Sequence, residues 1–338
     1  MASTLIEVIP GRLFYSPIPL RRGASGAALL MLPADTALEV FVSIEEFCVY
    51  YPFFLDFGPA SLNRLMRFCS AVRQLLSEGS SRPGAGARRI NLVTGTHMHW
   101  RGNAAYLIAG FMILQYNRSP EEALRPFAGL TPPIAPWHDA SPGVDPFHLS
   151  TLDVLRGIRR AREFGFFTYE GFDLESYEKY EQVSNGDMNW LVVGRFLAFA
   201  GPHDKDLKSS DVEEGYHVTS VNELLPLFRA FGVAGVVRLN KKYYAEAQFT
   251  DAGIKHADLY FLDGSNPPEA ILQRFLLLCE ETEGAIAVRE WIPLCNRTHM
   301  IRHSATLTLP PFSPPPPRPC PQIAKLDLAA QVHVSAPT

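Results

Sequence analysis

The sequence predicts an α/β protein made of two successive sheet-containing units followed by a Pro-rich tail. Three observations carry this reading. Short apolar runs of strand length alternate with amphipathic helical stretches over residues 40–116 and again over 190–288. Residues 257–288 read as strand, turn, helix, strand, the unit from which parallel sheets are assembled. From Trp291 to Thr338 that periodicity ends: ten of the forty-eight residues are Pro and only Asp327 is acidic. The tail therefore reads as disordered, with Pro314 to Pro317 suited to polyproline II.

In the first unit, placed at 10–160, residues 40–44 and 47–51 supply strand-like material. Residues 61–76 form a helix with Leu62, Leu65, Met66, Cys69 and Val72 inward. A strand at 90–93 and a buried helix at 103–116 follow, and the Gly-, Ser- and Arg-rich stretch 80–89 is a surface loop. Helices at 155–167 and 174–183 lead through a linker, 161–189. The second unit, 190–288, carries strands at 191–199, 233–239, 259–262 and 285–288, with helices at 221–231 and 268–279. Pro267 and Pro268 open the last helix, whose Ile271, Leu272, Phe275, Leu276 and Cys279 share one face. Residues 204–214, with five acids and two lysines, read as a solvated loop.

Composition excludes several classes. With 338 residues, 47% of them hydrophobic, the chain has enough apolar material for two cores. A net charge of −4 gives no electrostatic footprint for nucleic acid. The five cysteines form no CxxC pair or disulfide-like spacing, which suits a reducing compartment. No apolar run reaches membrane-spanning length, and Met1 to Pro10 lacks a signal peptide's pattern, so an intracellular protein without membrane attachment is expected. His97 and His99 offer two metal ligands but no third, so a loop or packing role is expected and no metal or cofactor is assigned.

The chemistry centres on Asp263-Gly264 and the strand 285–288. Parallel sheets bind ligands beyond the carboxyl ends of their strands. In cysteine-dependent phosphatases such an end carries His-Cys-x5-Arg: a thiolate attacks phosphorus, backbone N–H groups and Arg hold the oxygens, and a separate Asp protonates the leaving group. The chain resembles the cell-division-cycle-fourteen (mitotic-exit) family of dual-specificity protein phosphatases from about Phe14 to Val288, densely from Phe164 on. The resemblance rests on Asp56-Phe-Gly-Pro59, Asn103-Ala-Ala-Tyr-Leu107, Ser119-Pro-Glu-Glu-Ala123, Phe172-Asp-Leu-Glu175, Tyr177-Glu-Lys-Tyr-Glu181 and Asn185-Gly-Asp-Met-Asn-Trp190. It continues through Phe199-Ala-Gly-Pro-His203, Val237-Arg-Leu-Asn-Lys241, Phe249-Thr-Asp-Ala-Gly253 and Asp263-Gly-Ser265.

The resemblance implies two tandem dual-specificity-phosphatase-like domains, the first inactive and the second incomplete. It implies Asp263 as general acid. On the linker helix it implies Glu178 and Glu181 as acceptors for a basic residue downstream of phosphoserine-proline in a phosphoprotein partner; an ordinary solvated helix face is the other reading of this acid pair. It also implies a role in cell-cycle control, in nucleus and cytoplasm or at the centrosome or spindle.

After Val288 the family pattern stops. Arg289 and Glu290 stand where His and Cys are expected, so Glu290 holds the nucleophile's position. Cys295 with Arg302 gives Cys-x6-Arg, one residue too many, with no glycine between to let the backbone curl around phosphate. Val-Arg-Glu-Trp is encodable as GTN-CGT-GAG-TGG, which contains the usual start of an intron, so a retained intron or an error of exon assignment is one expectation. Three functional readings follow: an inactive product, an active phosphatase whose C-terminus is wrongly assigned, and a phosphoprotein-binding pseudophosphatase. The lost helices also lead to the expectation that the final strand lies partly uncovered.

Overall fold

The computed structural model describes residues 5–22, 28–36, 38–52, 55–78, 88–138, 149–202, 219–262 and 266–289. Asp263, Glu290, Cys295, Arg302, the Pro-rich tail and loop 204–214 lie outside the described residues, as does most of loop 80–89.

The described chain starts with a hairpin in which β1 (Ile6–Ile9) and β2 (Leu13–Ile18) pair antiparallel. Gly11 makes the turn at φ +66°, a conformation that favours glycine. A two-residue ladder, β3 (Arg21–Arg22) with β4 (Ala28–Leu29), follows. β5 (Glu39–Ser43) and β2 both pair in parallel with β6 (Arg89–Gly95), so the first sheet runs β1-β2-β6-β5. The sequence reading begins this unit at residue 10 and so leaves out half of the hairpin. Residues 47–51, expected as a strand, are instead entered by a helical turn, α1 (Glu45–Cys48). Its apolar residues suit a strand, but only Cys48 among 47–51 is fully buried, as one helical turn delivers.

Helix α2 (Leu62–Glu78) lays Leu65, Met66, Phe68, Cys69 and Val72 on the core. Helix α3 (Met98–Tyr116) is buried at every position from Arg101 to Leu114. A helix apolar all round belongs inside a protein, and α3 is the hub against which α1, α2, α4 (Pro120–Leu124) and α5 (Thr151–Glu163) pack. It starts five residues before the expected 103 because His97 caps it, accepting a hydrogen bond from the backbone N–H of His99. Ser119 with Glu122 and Ser150 with Asp153 form reciprocal caps that start α4 and α5.

Helix α6 (Leu174–Glu181) leads into the second sheet, which runs β10-β9-β11-β8-β7. Its strands are β7 (Met188–Val192), β8 (Phe196–Phe199), β9 (Val233–Arg238), β10 (Lys255–Asp258) and β11 (Ala285–Arg289). All neighbours are parallel except β7 with β8. The single strand expected at 191–199 is thus a hairpin, turned at Gly194 with φ +73°. The strand expected at 259–262 lies one step earlier: β10 registers Lys255 to Asp258 against Gly235 to Arg238, and only Leu259 continues inward. Leu262 is 69% exposed, so that apolar run does not continue as a buried strand.

Helices α7 (Val221–Ala230) and α8 (Ala247–Thr250) cover one face, where Val221, Leu224, Phe228 and Phe249 meet Val236, Ala285 and Ala287. Helix α9 (Glu269–Glu281) covers the other, where Ile271, Phe275 and Leu278 pack against Val237, Ile286 and Val288. Side chains of β11 alternate between the two faces, the period of two expected of a strand buried on both sides. The expectation of a partly uncovered final strand is overturned: every residue of β11 is buried, because β9 and β8 flank it and helices cover both faces. Arg195, in the β7–β8 hairpin, donates to the carbonyls of Cys279, Thr282 and Gly284 at the end of α9.

Since Ile286 is fully buried between two neighbouring strands, Ile286→Ala is expected to lower unfolding free energy by roughly 2–5 kcal/mol. Urea titration of the full chain measures this. A loss below about 1 kcal/mol would contradict the central placement of β11.

Candidate functional site

The parallel strands β8, β9 and β11 end together, and their carboxyl ends present a cluster of charged and aromatic side chains. Arg238 closes β9 and Arg289 closes β11; each is 1% exposed. Arg238 is neutralised: its Nη2 lies 2.6 Å from Asp258 Oδ2 and 3.5 Å from Glu246 Oε2, and its Nη1 donates to the Tyr244 carbonyl. Its guanidinium also lies over the Tyr244 ring, with the ring centroid 4.6 Å away. Tyr244 Oη is 2.9 Å from His256 Nε2. Burial and then the nearby Arg238 hold His256 below its ordinary range, which favours the neutral ring.

Glu246, His256 and Asp258 bring three ligand atoms within 4.8 Å of one another. Arg238 already lies against both carboxylates, so the group reads as the counter-charge of a buried arginine.

Arg289 is different. Its Nη1 donates to Asn240 Oδ1 at 2.5 Å and to the Lys241 carbonyl at 2.9 Å, and the Tyr243 and Tyr244 rings flank it. Among the described residues no carboxylate pairs with it. Burial opposes its charged form. The side chain passes so close to Gly201 that a Cβ there would fall 1.4 Å from Arg289 Nε.

The two linker acids lie elsewhere, on the face of α6 turned to α2. Glu178 accepts two hydrogen bonds from Arg67, from Nε and Nη2, in a bidentate pair. Asn63, one turn earlier on α2, donates to Glu181 Oε2 at 3.2 Å. The hydrogen bond from Arg67 holds the Glu178 carboxyl below the usual carboxylate range. Of the sequence-predicted site residues, then, the structure brings Glu178 and Glu181 together on one face, and both are tied to α2. Asp263 and Glu290 lie outside the described residues.

His97 and His99 sit at the start of α3, where the His99 ring stacks on Phe57 with centroids 3.8 Å apart. Sequence reasoning notes Arg289 only as standing where the family has His, and assigns no role to Arg67, Arg238 or Asn240. A charge closing each of two apolar strands, Arg238 and Arg289, was the available signal for two of them. Nothing in the local sequence of α2 marks Arg67 as the partner of Glu178.

Residues 7–161 match the family model described as dual specificity protein phosphatase, N-terminal half. This places the first sheet and its helices in the phosphatase class. The dual specificity protein phosphatase CDC14A of Homo sapiens is 43% identical over 263 residues, covering 78% of this chain and 43% of that protein. The tyrosine-protein phosphatase cdc-14 of Caenorhabditis elegans is 36% identical over 292 residues, 85% of this chain and 39% of that protein. The CDC14 homolog of Schizosaccharomyces pombe is 34% identical over 250 residues, 73% of this chain and 46% of that protein. The chain belongs to the CDC14 family of dual-specificity protein phosphatases. It spans about half the length of the curated relatives it matches.

Two outcomes follow from this geometry. Arg67→Ala is expected to destabilise the chain by about 0.5–1 kcal/mol at neutral pH, the range for an exposed pair with good geometry. Because Glu178 has a depressed folded pKa, its stabilisation is present above the unfolded carboxylate value and is lost as pH falls through the folded one. The difference between wild type and Arg67→Ala should therefore vanish in acid, as denaturant titrations across pH will show. Gly201→Ala drives a methyl into Arg289 and is expected to cost roughly 1–3 kcal/mol. Shortening Arg289 to Ala in the same chain should recover most of that, whereas additive losses would separate the two residues.

Proposed function

We propose that this chain is a catalytically silent member of the CDC14 phosphoprotein phosphatase lineage. The observation that carries the reading is the place of β11. This strand lies centrally between β8 and β9, ends in a buried arginine, and is followed in the sequence by Glu290, where a thiolate nucleophile is needed. An acid at that position cannot form a cysteinyl-phosphate intermediate, and Asp263 then has no leaving group to protonate.

On this reading the chain holds an inactive phosphatase-like domain at 10–160, linker helices at 161–189, an incomplete catalytic-type domain at 190–288 and a divergent tail at 289–338. The partners are phosphoproteins carrying phosphoserine-proline with a basic residue downstream, met by Glu178 and Glu181 inside the cell, in nucleus or cytoplasm. Among the described residues no helix is long and apolar enough to cross a membrane.

On this reading, the ties of Glu178 and Glu181 to α2 govern a substrate's access to them. A substrate lysine reaching Glu178 has to displace Arg67, whereas Glu181 is held by the neutral amide of Asn63. A phosphoprotein-binding role without turnover is the second reading, and it is favoured by the unneutralised Arg289 at the end of the sheet.

Purified full-length chain, assayed with an aryl phosphate and with a phosphoserine-proline peptide, should release phosphate only at the background rate. Turnover that Cys295→Ser abolishes would show that a displaced cysteine serves as nucleophile and would sink the proposal.

A further inference from the structure

We infer that the outer face of α9 is a self-association surface, on which a second copy of this chain docks antiparallel about a two-fold axis between Leu277 and Leu278. The inference goes beyond the catalytic reading, in which none of these residues takes part. It starts from how charge is arranged along one helix.

Helix α9 turns Ile271, Phe275, Leu278 and Cys279 to the sheet. Its opposite face carries Ala270, Arg274, Leu277 and Glu281, spaced by four, three and four residues, the period at which helices meet along a seam. All four are exposed, Leu277 by 53%. A single exposed leucine is ordinary. The two charges beside it are less so, because a helix neutralises its own charges through neighbours three or four residues away. For Arg274 those positions hold Ala270, Ile271, Leu277 and Leu278, and for Glu281 they hold Leu277, Leu278, Gly284 and Ala285, all without charge. Arg274 and Glu281 stand about 10 Å apart along the helix axis, too far to pair with each other. Among the described residues neither makes an ion pair. Lys255 of β10 reaches Glu281, but at its main-chain carbonyl, 3.5 Å away.

A second copy supplies what the helix lacks. With Leu277 laid against the partner's Leu278 in antiparallel sense, Arg274 comes opposite the partner's Glu281, and symmetry repeats the contact on the other side. Two ion pairs then bracket the leucines. A parallel pair would set arginine against arginine and acid against acid, so the charges specify the antiparallel one. Between α9 and β10 lies a hollow of about 270 Å³, lined by Lys255, Arg274, Leu277, Leu278, Glu281 and Thr282. It gives the partner's Leu277 a seat, as a knob enters a hole. The seam runs along a helix of 13 residues, so the complex belongs to the small, transient class of interfaces.

Sedimentation velocity of the full chain tests this. Between about 5 and about 500 µM, the weight-average mass is expected to rise from one chain towards two. High salt should reduce the rise, since it screens exposed pairs. Arg274→Glu should keep the chain monomeric, and so should Glu281→Arg, because each sets like charges together. An equimolar mixture of these two variants should regain association, since acid then meets base at both contacts. Leu277→Asn leaves both charges in place and should weaken association about tenfold or more.

All three positions are exposed, so the variants should keep the unfolding midpoint of the wild type, and each reads the seam independently of the others. A chain that stays monomeric over the whole range would overturn the inference. Association that survives both Arg274→Glu and Leu277→Asn would place the contact on another surface and overturn it too. A mixture that remains monomeric would sink the antiparallel pairing.

Discussion

The second sheet depends on the double pairing of β11. This strand bonds in parallel to β9 on one edge and to β8 on the other, yet it is the last of the described strands in the chain. The sheet cannot close in the order in which its strands occur: β8 and β9 must wait, with a gap of one strand between them, until β11 enters. Such non-local pairing incurs its loop-closure entropy before its contacts form. The apolar alternation of Ala285, Ile286, Ala287 and Val288 is what makes the insertion favourable, since each residue then reaches one of two cores. Arg289, next in line, continues the strand but ends its apolar character. The placement of this buried charge at the carboxyl end of the sheet follows directly from the register of β11.

The two sheets are coupled through the linker, and magnitudes decide which contacts matter there. The ion pair of Arg67 with Glu178 is largely exposed and belongs to a class worth little. The apolar contacts count for more. Phe167, Phe172 and Leu174 pack against the first core, and Tyr180 against the second, where its ring meets Phe231. Burying aromatic side chains of this size contributes roughly 1.5–3 kcal/mol each when burial is complete. Here burial is partial, and the sum still exceeds one surface pair. The polar contacts tie α6 to α2, and the apolar ones anchor the linker to the two cores.

Much of the fold was legible because it is written locally. β9, α7 and β11 appear within a residue or two of their expected bounds, since each combines a clear period with a Gly or Ser at its edge. The hairpin of β1 and β2 was missed because Pro17 lies within β2. Proline disfavours strand interiors, and it is tolerated here beyond the last pair with β1. The run at 191–199 conceals a turn at Gly194, and β10 carries Lys255, His256 and Asp258, which hide its strand character. At the candidate site, Glu178 and Glu181 were singled out by the family resemblance, while their spacing alone fits an ordinary solvated helix face; the residues that hold them are remote in sequence. No local signal pairs Asn63 with Glu181 or Asn240 with Arg289. Such pairs are set by which elements the fold brings side by side.

Arg195 shows what a single side chain in a turn can do to the way a region opens. It sits in the hairpin between β7 and β8 and ties three carbonyls at and just beyond the end of α9, groups that a helix cannot satisfy from within. The last turn of α9 therefore cannot fray without releasing the hairpin, and the hairpin cannot open without exposing those carbonyls. In the language of amide exchange, the two segments form one cooperative opening unit although they are far apart in the chain. One guanidinium contributes to the free energy of that opening on both sides, beside the apolar packing of α9.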